Sequence, residues 1–246
     1  MNILITGASS GLGLGMAREF AAAGHNLALC ARRIEQLAEI REQLLRAHPT
    51  IKVFIRALDV TNYEQVFEVF KGFKEDLVVI DRIIVNAGLG KGRPLGTGRF
   101  DANLQTAQTN FIGALAQCEA AMEIFRAQEY GHLVNVASIA AIRGQTKAQL
   151  TYAATKAGLA SMSEGLRLEC RGTRIKVTTL FPGFIRTEIT AYAEKLPFEV
   201  DEVTGSRAMV RAIERGVAEA CVPAWPWALI RFVLKRAPDS LLVRMV

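Results

Sequence analysis

Tyr152 and Lys156 stand four residues apart, so on a helix they share one face, a turn from each other. Together they make a candidate acid–base pair. A free phenol titrates near ~10, too high for easy proton exchange at neutral pH. An ammonium ~4 Å away, at an effective dielectric near ~20, favours the phenolate by up to about 4 kcal/mol, or roughly 3 pK units. Amphipathic helices often carry such a pair inertly, so it gains meaning only from its setting. A second candidate is the run Thr6-Gly7-Ala8-Ser9-Ser10-Gly11-Leu12-Gly13, which follows the apolar stretch Ile3-Leu4-Ile5. Glycines let a backbone turn tightly and approach a pyrophosphate, and the amino end of the next helix attracts its charge. Alone, the loop is equally a structural turn. Its GxxxGxG spacing matches neither the GxGxxG fingerprint nor a P-loop, which would need Lys-Ser/Thr after the last glycine.

These groups must be held by something, and the chain alternates short apolar runs with amphipathic stretches. Strands are expected at Asn2–Ile5, Asn26–Cys30, Lys52–Leu58, Asp81–Val85, His132–Ala137, Lys176–Phe181 and Ala218–Val222. Helices are expected at Gly11–Ala23, Glu35–His48, Tyr63–Phe73, Asn103–Glu129, Leu150–Arg171 and Ser206–Arg215. Near-continuous apolar strands such as Ile83-Ile84-Val85 are buried on both faces, as in a parallel sheet. The alternation predicts an α/β, Rossmann-type doubly wound sheet, with ligands at the carboxyl ends of its strands. No linker, repeat or low-complexity tract divides the 246 residues, so we expect a single domain spanning 1–246.

Composition removes several classes. Half of the chain is apolar and 22% is charged, which excludes a disordered chain. Cys30, Cys118, Cys170 and Cys221 form no CxxC pair, and with three histidines no metal-ligand spacing appears. Free thiols in a reducing compartment are expected. No apolar run is long enough to span a membrane and no basic segment precedes Ile3-Leu4-Ile5, so a cytoplasmic product is expected. The net charge of +6 comes with no basic block interleaved with aromatics, so nucleic acid is not an expected partner.

Position and spacing together resemble the short-chain dehydrogenase/reductase family, in its single-domain branch. After the glycine loop come Asn86-Ala87-Gly88 behind the fourth strand, Asn110 in the long helix, and Ser138 behind the fifth strand. Tyr152-Ala153-Ala154-Thr155-Lys156 opens the next helix, and Pro182-Gly183 with Thr187 follows the sixth strand. The motifs cover about residues 2–190.

The resemblance implies a seven-stranded sheet in the order 3-2-1-4-5-6-7, and hydride transfer between a nicotinamide cofactor and a carbonyl or secondary alcohol. It makes Tyr152 the general acid/base, assisted by Lys156, Ser138 and Asn110. Gly7, Ser9, Ser10, Gly11, Leu12 and Gly13 would line the diphosphate, Asp59 and Val60 the adenine, and Asn86, Ala87 and Gly88 the adenosine side. Lys156 would hold the nicotinamide ribose beside Tyr152, with Pro182, Gly183, Ile185 and Thr187 near the carboxamide. Asp59 could equally cap the helix near Tyr63, Ser138 a local turn, and Asn110 could be a buried amide satisfied by backbone. The Ser138–Tyr152 interval is one residue longer than the family's usual one, so the loop 143–149 must absorb it.

The second strand ends Ala31-Arg32-Arg33. By resemblance Ala31 occupies the position where NAD-preferring folds carry an acid for the ribose. With no carboxylate and two guanidiniums, the site suits a 2′-phosphate, so the expected cofactor is NADP(H). A charged hydrogen bond worth roughly 1.5–3 kcal/mol gives about tenfold or more in preference.

Residues 186–205 are expected to close over the substrate. The mixture of Ile189, Tyr192, Leu196 and Phe198 with Glu188, Glu194, Lys195, Glu199 and Asp201 suggests a moderately apolar one; Phe181 is expected in the core. The apolar and basic tail 223–246 holds both tryptophans, and residues 207–246 carry seven Arg/Lys and three Asp/Glu. Segment 224–236 is expected to pack on the body or a partner subunit. The competing expectation is peripheral contact with an anionic membrane. The family also implies a homodimer or homotetramer. Alternatives are a 3-oxoacyl-thioester reductase of lipid metabolism and a nucleotide-sensing or scaffold protein on the same fold; the retained Asn, Ser, Tyr and Lys argue against the last.

Overall fold

The computed structural model describes residues 1–187 and 196–238. Strands β1 (Asn2–Thr6), β2 (Asn26–Ala31), β3 (Val53–Ala57), β4 (Arg82–Val85), β5 (Tyr130–Val136), β6 (Arg174–Pro182) and β7 (Glu219–Val222) form one parallel sheet in the order β3-β2-β1-β4-β5-β6-β7. Alternate residues of each strand enter opposite layers, as the pleat requires. Leu4, Ile83 and Leu133 join one core with α3 (Tyr63–Leu77), α5 (Gly113–Gln128) and α6 (Leu150–Glu169). Ile3, Ile5, Ile84 and Val134 join the other with α1 (Gly11–Ala22), α2 (Ile34–Ala47) and α7 (Glu202–Glu214). Phe20, Phe70, Phe73 and Phe125 are fully buried, each contributing about 1.5–3 kcal/mol of burial. α4 (Phe100–Ala107) and α8 (Ala224–Arg236) complete the helices among the described residues.

Several boundaries differ from the expected ones, each for a local reason. α3 runs on to Leu77 because Val66, Val69, Phe70, Phe73 and Leu77 keep one buried stripe going. Its cap is Asn62, whose side chain accepts from the Gln65 N–H. α7 starts at Glu202, earlier than the expected Ser206, because the Asp201 carboxylate accepts from the Thr204 N–H at 2.7 Å. Apolar periodicity cannot reveal a polar first turn.

The long helix expected at Asn103–Glu129 starts at Phe100 and contains a π-helical turn, Gln108–Ile112, between α4 and α5. There the Gly113 N–H bonds to the Gln108 carbonyl, five residues back. Gly113 lies so close to the loop after β3 that a Cβ would stand 2.7 Å from the Val60 carbonyl. Such wide turns recur at functional sites, and this one carries Asn110.

Buried polar groups join β4, β5 and β6. Arg82 Nε donates to His132 Nδ1 at 3.1 Å, His132 Nε2 pairs with Thr178 Oγ1 at 2.8 Å, and the Thr178 hydroxyl donates to the Val217 carbonyl at 2.6 Å. Arg82 also meets Glu214 of α7 at 2.6 Å. Since an arginine cannot accept, His132 Nδ1 must present a lone pair and the proton sits on Nε2. Burial first, then Arg82 and Lys176, pushes the His132 pKa down to about 3.

Candidate active site

A cleft of about 380 Å³ opens at the carboxyl ends of the strands. It is lined by Gly7, Ser9, Ser10, Gly11 and Leu12, by Arg32 and Arg33 after β2, by Asp59 and Val60 after β3, and by Asn86, Ala87 and Gly88 after β4. Ser138, Tyr152, Lys156, Pro182, Gly183, Ile185 and Thr187 line the other half. Two residues expected at the site do not line it. Gly13 is packing: a Cβ there would fall 2.3 Å from the Gly7 carbonyl oxygen and 2.7 Å from Asn86 Nδ2. Asn110 is fully buried. Its amide donates to the Leu89 carbonyl and accepts from the Leu89 N–H, both at 2.8 Å. The side chain is thus satisfied by backbone and fixes the segment after Asn86-Ala87-Gly88.

The glycine loop has a local cause. Gly7 has φ +64°, and a Cβ there would sit 2.9 Å from Ala87 Cα; only glycine combines that conformation with that approach. Asn86 Nδ2 donates to the Thr6 and Gly7 carbonyls at 3.0 and 3.3 Å. The Thr6 hydroxyl accepts the N–H groups of Asn86 and Ala87 at 3.0 and 3.2 Å. Asn86 and Thr6 therefore pin two loops together. α1 begins there with an extended Ser10 whose side chain makes no cap bond and with no acid in its first turn. Its first N–H groups and positive end face the cleft, a fit for a diphosphate.

Arg33 reaches back across the cleft. Its guanidinium donates to Ser9 Oγ at 3.1 Å and Ser10 Oγ at 2.8 Å. Both arginines precede α2, which begins at Ile34. Asp59 is not the cap of α3: it accepts from the Thr61 N–H and hydroxyl at 2.9 and 2.7 Å and remains at the cleft wall.

At the inner end Tyr152 and Ser138 line the cleft together, close enough for the Ser138 hydroxyl to favour the phenolate. Ser138 also caps the 3-10 turn Ile139–Ile142, accepting from the Ala140 N–H at 3.1 Å. The loop to Tyr152 contains a second 3-10 turn, Lys147–Gln149, and Ser138 and Tyr152 still line the same cleft. Lys156 is 5% exposed, and its Nζ donates to the Val136 carbonyl at 2.8 Å. A Cβ on Gly88 would stand 3.4 Å from that Nζ and 3.3 Å from Asn110 Oδ1, so the turn after β4 passes close beside both groups.

The charge balance differs from the sequence expectation. Burial pushes the Tyr152 pKa up, with the neighbouring Ser138 hydroxyl acting the other way. Lys156 Nζ lies 6.0 Å from the centroid of the Tyr152 ring. Burial lowers the Lys156 pKa to about 8. For Tyr152, desolvation outweighs the opposing effect of Ser138.

Beside Gly183, Trp227 of α8 packs edge-on against Phe184, with centroids 5.1 Å apart, and against Phe198 at 6.3 Å. Phe181 is buried as expected, with the Arg231 guanidinium over its ring at 4.2 Å. The lid expected at 186–205 is described only in part. Arg186 pairs with Glu199 at 2.7 Å, whereas Glu188, Ile189, Tyr192, Glu194 and Lys195 lie outside the described residues. Sequence reasoning missed Thr61, Leu89, Gln105, Gln108 and Thr109, which also line the cleft. The last three face it from α4 and the π-helical turn, which period counting cannot orient.

A parallel sheet in this order, with a glycine turn after β1 and a Ser–Tyr–Lys cluster at its carboxyl edge, defines a dinucleotide-type oxidoreductase scaffold. The chain belongs to the short-chain dehydrogenase family, whose model matches residues 1–196. It is 47% identical over 232 residues to an uncharacterized oxidoreductase of Mycobacterium tuberculosis, covering 94% of this chain and 92% of that protein. An alcohol dehydrogenase from the archaeon Thermococcus sibiricus, complexed with 5-hydroxy-NADP, shares the fold at TM-score 0.80 and 24% identity, covering 89% of this chain and 94% of that one. The closed form of serine dehydrogenase complexed with NADP+ matches at TM-score 0.77 and 26% identity, covering 86% and 88%. This chain is an oxidoreductase of the short-chain dehydrogenase type.

Proposed function

We propose that the protein is an NADP(H)-dependent oxidoreductase acting on a carbonyl or secondary alcohol. The observation that carries this reading is the cluster of Ser138, Tyr152 and buried Lys156, the last one turn along from the tyrosine, at the end of a cleft that begins at the glycine loop. When bound, NADP(H) would supply or accept the hydride. Gly7 and Ser9–Leu12 would hold its diphosphate, with Gly13 shaping the loop from behind, and Arg32 and Arg33 its 2′-phosphate. Asp59 and Val60 would meet the adenine, Asn86, Ala87 and Gly88 the adenosine side, and Pro182, Gly183, Ile185 and Thr187 the carboxamide end. The NADP+ complex of the serine dehydrogenase relative supports the nucleotide.

The chain's own work is proton chemistry. Ser138 orients the substrate oxygen, and the Tyr152 hydroxyl donates its proton as negative charge develops there, a step worth about 10²–10⁴ in rate. The Lys156 ammonium stabilises the phenolate left behind. Asn110 holds the wall beside Lys156 through Leu89. Phe184 and the aromatic group around Trp227 favour an apolar substrate.

The reading makes 1–246 one catalytic domain with 186–205 as its lid. Four buried free cysteines are consistent with the reducing cytoplasm. A homodimer or homotetramer is supported by exposed Leu104, Ile112 and Leu115 along the α4–α5 helix; light scattering giving a monomer would refute it.

Cofactor choice is tested by comparing kcat/KM for NADPH and NADH. Arg33→Ala should weaken NADPH use by about tenfold or more and leave NADH use far less affected. A wild-type enzyme that prefers NADH would overturn the assignment.

A further inference from the structure

α8 presents two apolar stripes on opposite sides. Trp227, Ile230, Arg231 and Leu234, spaced at i, i+3, i+4 and i+7, face the body. Trp227 is 4% exposed, and Arg231 bonds to Glu219 while covering Phe181. Leu229, Phe232, Val233 and Arg236 repeat the same spacing on the outer side, with Leu229, Phe232 and Val233 53%, 57% and 48% exposed. Trp225 just ahead is extended and 76% exposed. A helix that has already buried one apolar stripe has no folding reason to display a second.

We propose that this outer stripe docks on an anionic lipid surface. Charge selects the occupant. Segment 224–236 contains no Asp or Glu and ends in exposed Lys235 and Arg236. The Arg236 guanidinium lies 4.0 Å from the Phe232 ring centroid, so cation and apolar surface form one patch. A second copy packed on the same stripe would face like charges, which oppose association. An anionic bilayer accepts both components: apolar side chains enter the acyl boundary while cations and Trp stay at the headgroups.

The placement gives docking a consequence. α8 packs on the 3-10 turn Ile139–Ile142, and Trp227 lies against Gly183, a cleft residue. Docking would hold the substrate end of the cleft close to the bilayer, and the substrate would be a carbonyl compound dissolved in lipid. That consequence rests on the proposed reductase activity; the docking itself does not.

The test uses the full chain with vesicles of phosphatidylcholine alone or mixed with phosphatidylglycerol. Both tryptophans of the chain lie in this segment, so its emission reports on the segment directly. Wild type should co-sediment with the mixed vesicles, less so at high salt, and its emission should shift to the blue. Trp225→Phe should still bind and lose most of the shift, because Trp227 is already buried. The double variant Leu229→Ser/Phe232→Ser should partition at least ~tenfold less while keeping its far-ultraviolet spectrum and melting temperature. Wild type that ignores anionic vesicles overturns the proposal. So does a double variant that binds vesicles like wild type. Failure to bind vesicles, with the double variant dropping to a smaller species in light scattering, would assign the stripe to a second copy of the chain instead.

Discussion

A phenol and an ammonium share one cleft, and desolvation shifts both. Burial raises the Tyr152 pKa, which keeps the phenol protonated and ready to donate, and lowers that of Lys156 to about 8. At neutral pH the ammonium is therefore largely intact, and it is lost as pH rises through about 8. If this charge supports proton donation, kcat/KM for carbonyl reduction should fall on the alkaline side with an apparent pKa near 8, well before the phenol titrates. Lys156→Arg, whose guanidinium keeps its proton beyond ~12, should lower the rate and remove that limb. A wild-type profile flat to pH ~10, the ordinary phenol value, would remove Lys156 from the chemistry. The pair itself was legible from the four-residue spacing of Tyr152 and Lys156. Its charge balance was not, because desolvation depends on packing that only the folded chain supplies. The same holds for Arg33, whose reach to Ser10 joins residues 23 positions apart.

Elements hold these side chains by means that are partly legible. The glycine loop, the strands and the Tyr152 helix follow from local pattern, and the sheet order follows from the alternation together with the family resemblance. The Arg82–His132–Thr178 chain depends on register: Arg82 lies opposite His132 across β4 and β5, a pairing that strand propensity does not encode. Its acid response is a test. The folded His132 titrates at about 3 against an ordinary 6.5, so between those values the unfolded chain binds the extra proton and stability falls as pH falls. From pH 6.5 to 5 this residue should cost about 1.6 kcal/mol. His132→Gln, which keeps an acceptor for Arg82 and a donor for Thr178, should lose correspondingly less in urea unfolding over that interval. Equal losses in the two proteins would show that His132 takes up its proton normally when folded. Asn110 teaches a related lesson. Its type was noted in the sequence, but its partner Leu89 became visible only with the π-helical turn in place.

At the scale of the whole molecule, the sheet has two ends with different duties. One is tied by buried polar groups and spans β4, β5, β6 and α7. The other opens into loops that meet at the cleft, as ligand sites do in open α/β sheets. Catalysis is assigned to the point where the loop after β5, the turn after β4 and α6 converge, and that assignment is the central claim. It is tested most directly by single-turnover hydride transfer, with the enzyme preloaded with NADPH and mixed with an aldehyde or ketone that it reduces, comparing wild type with Tyr152→Phe. The account predicts that the variant binds NADPH with nearly unchanged affinity and transfers hydride at least ~10²-fold more slowly. A variant that binds NADPH normally and reduces the carbonyl at the wild-type rate would contradict it.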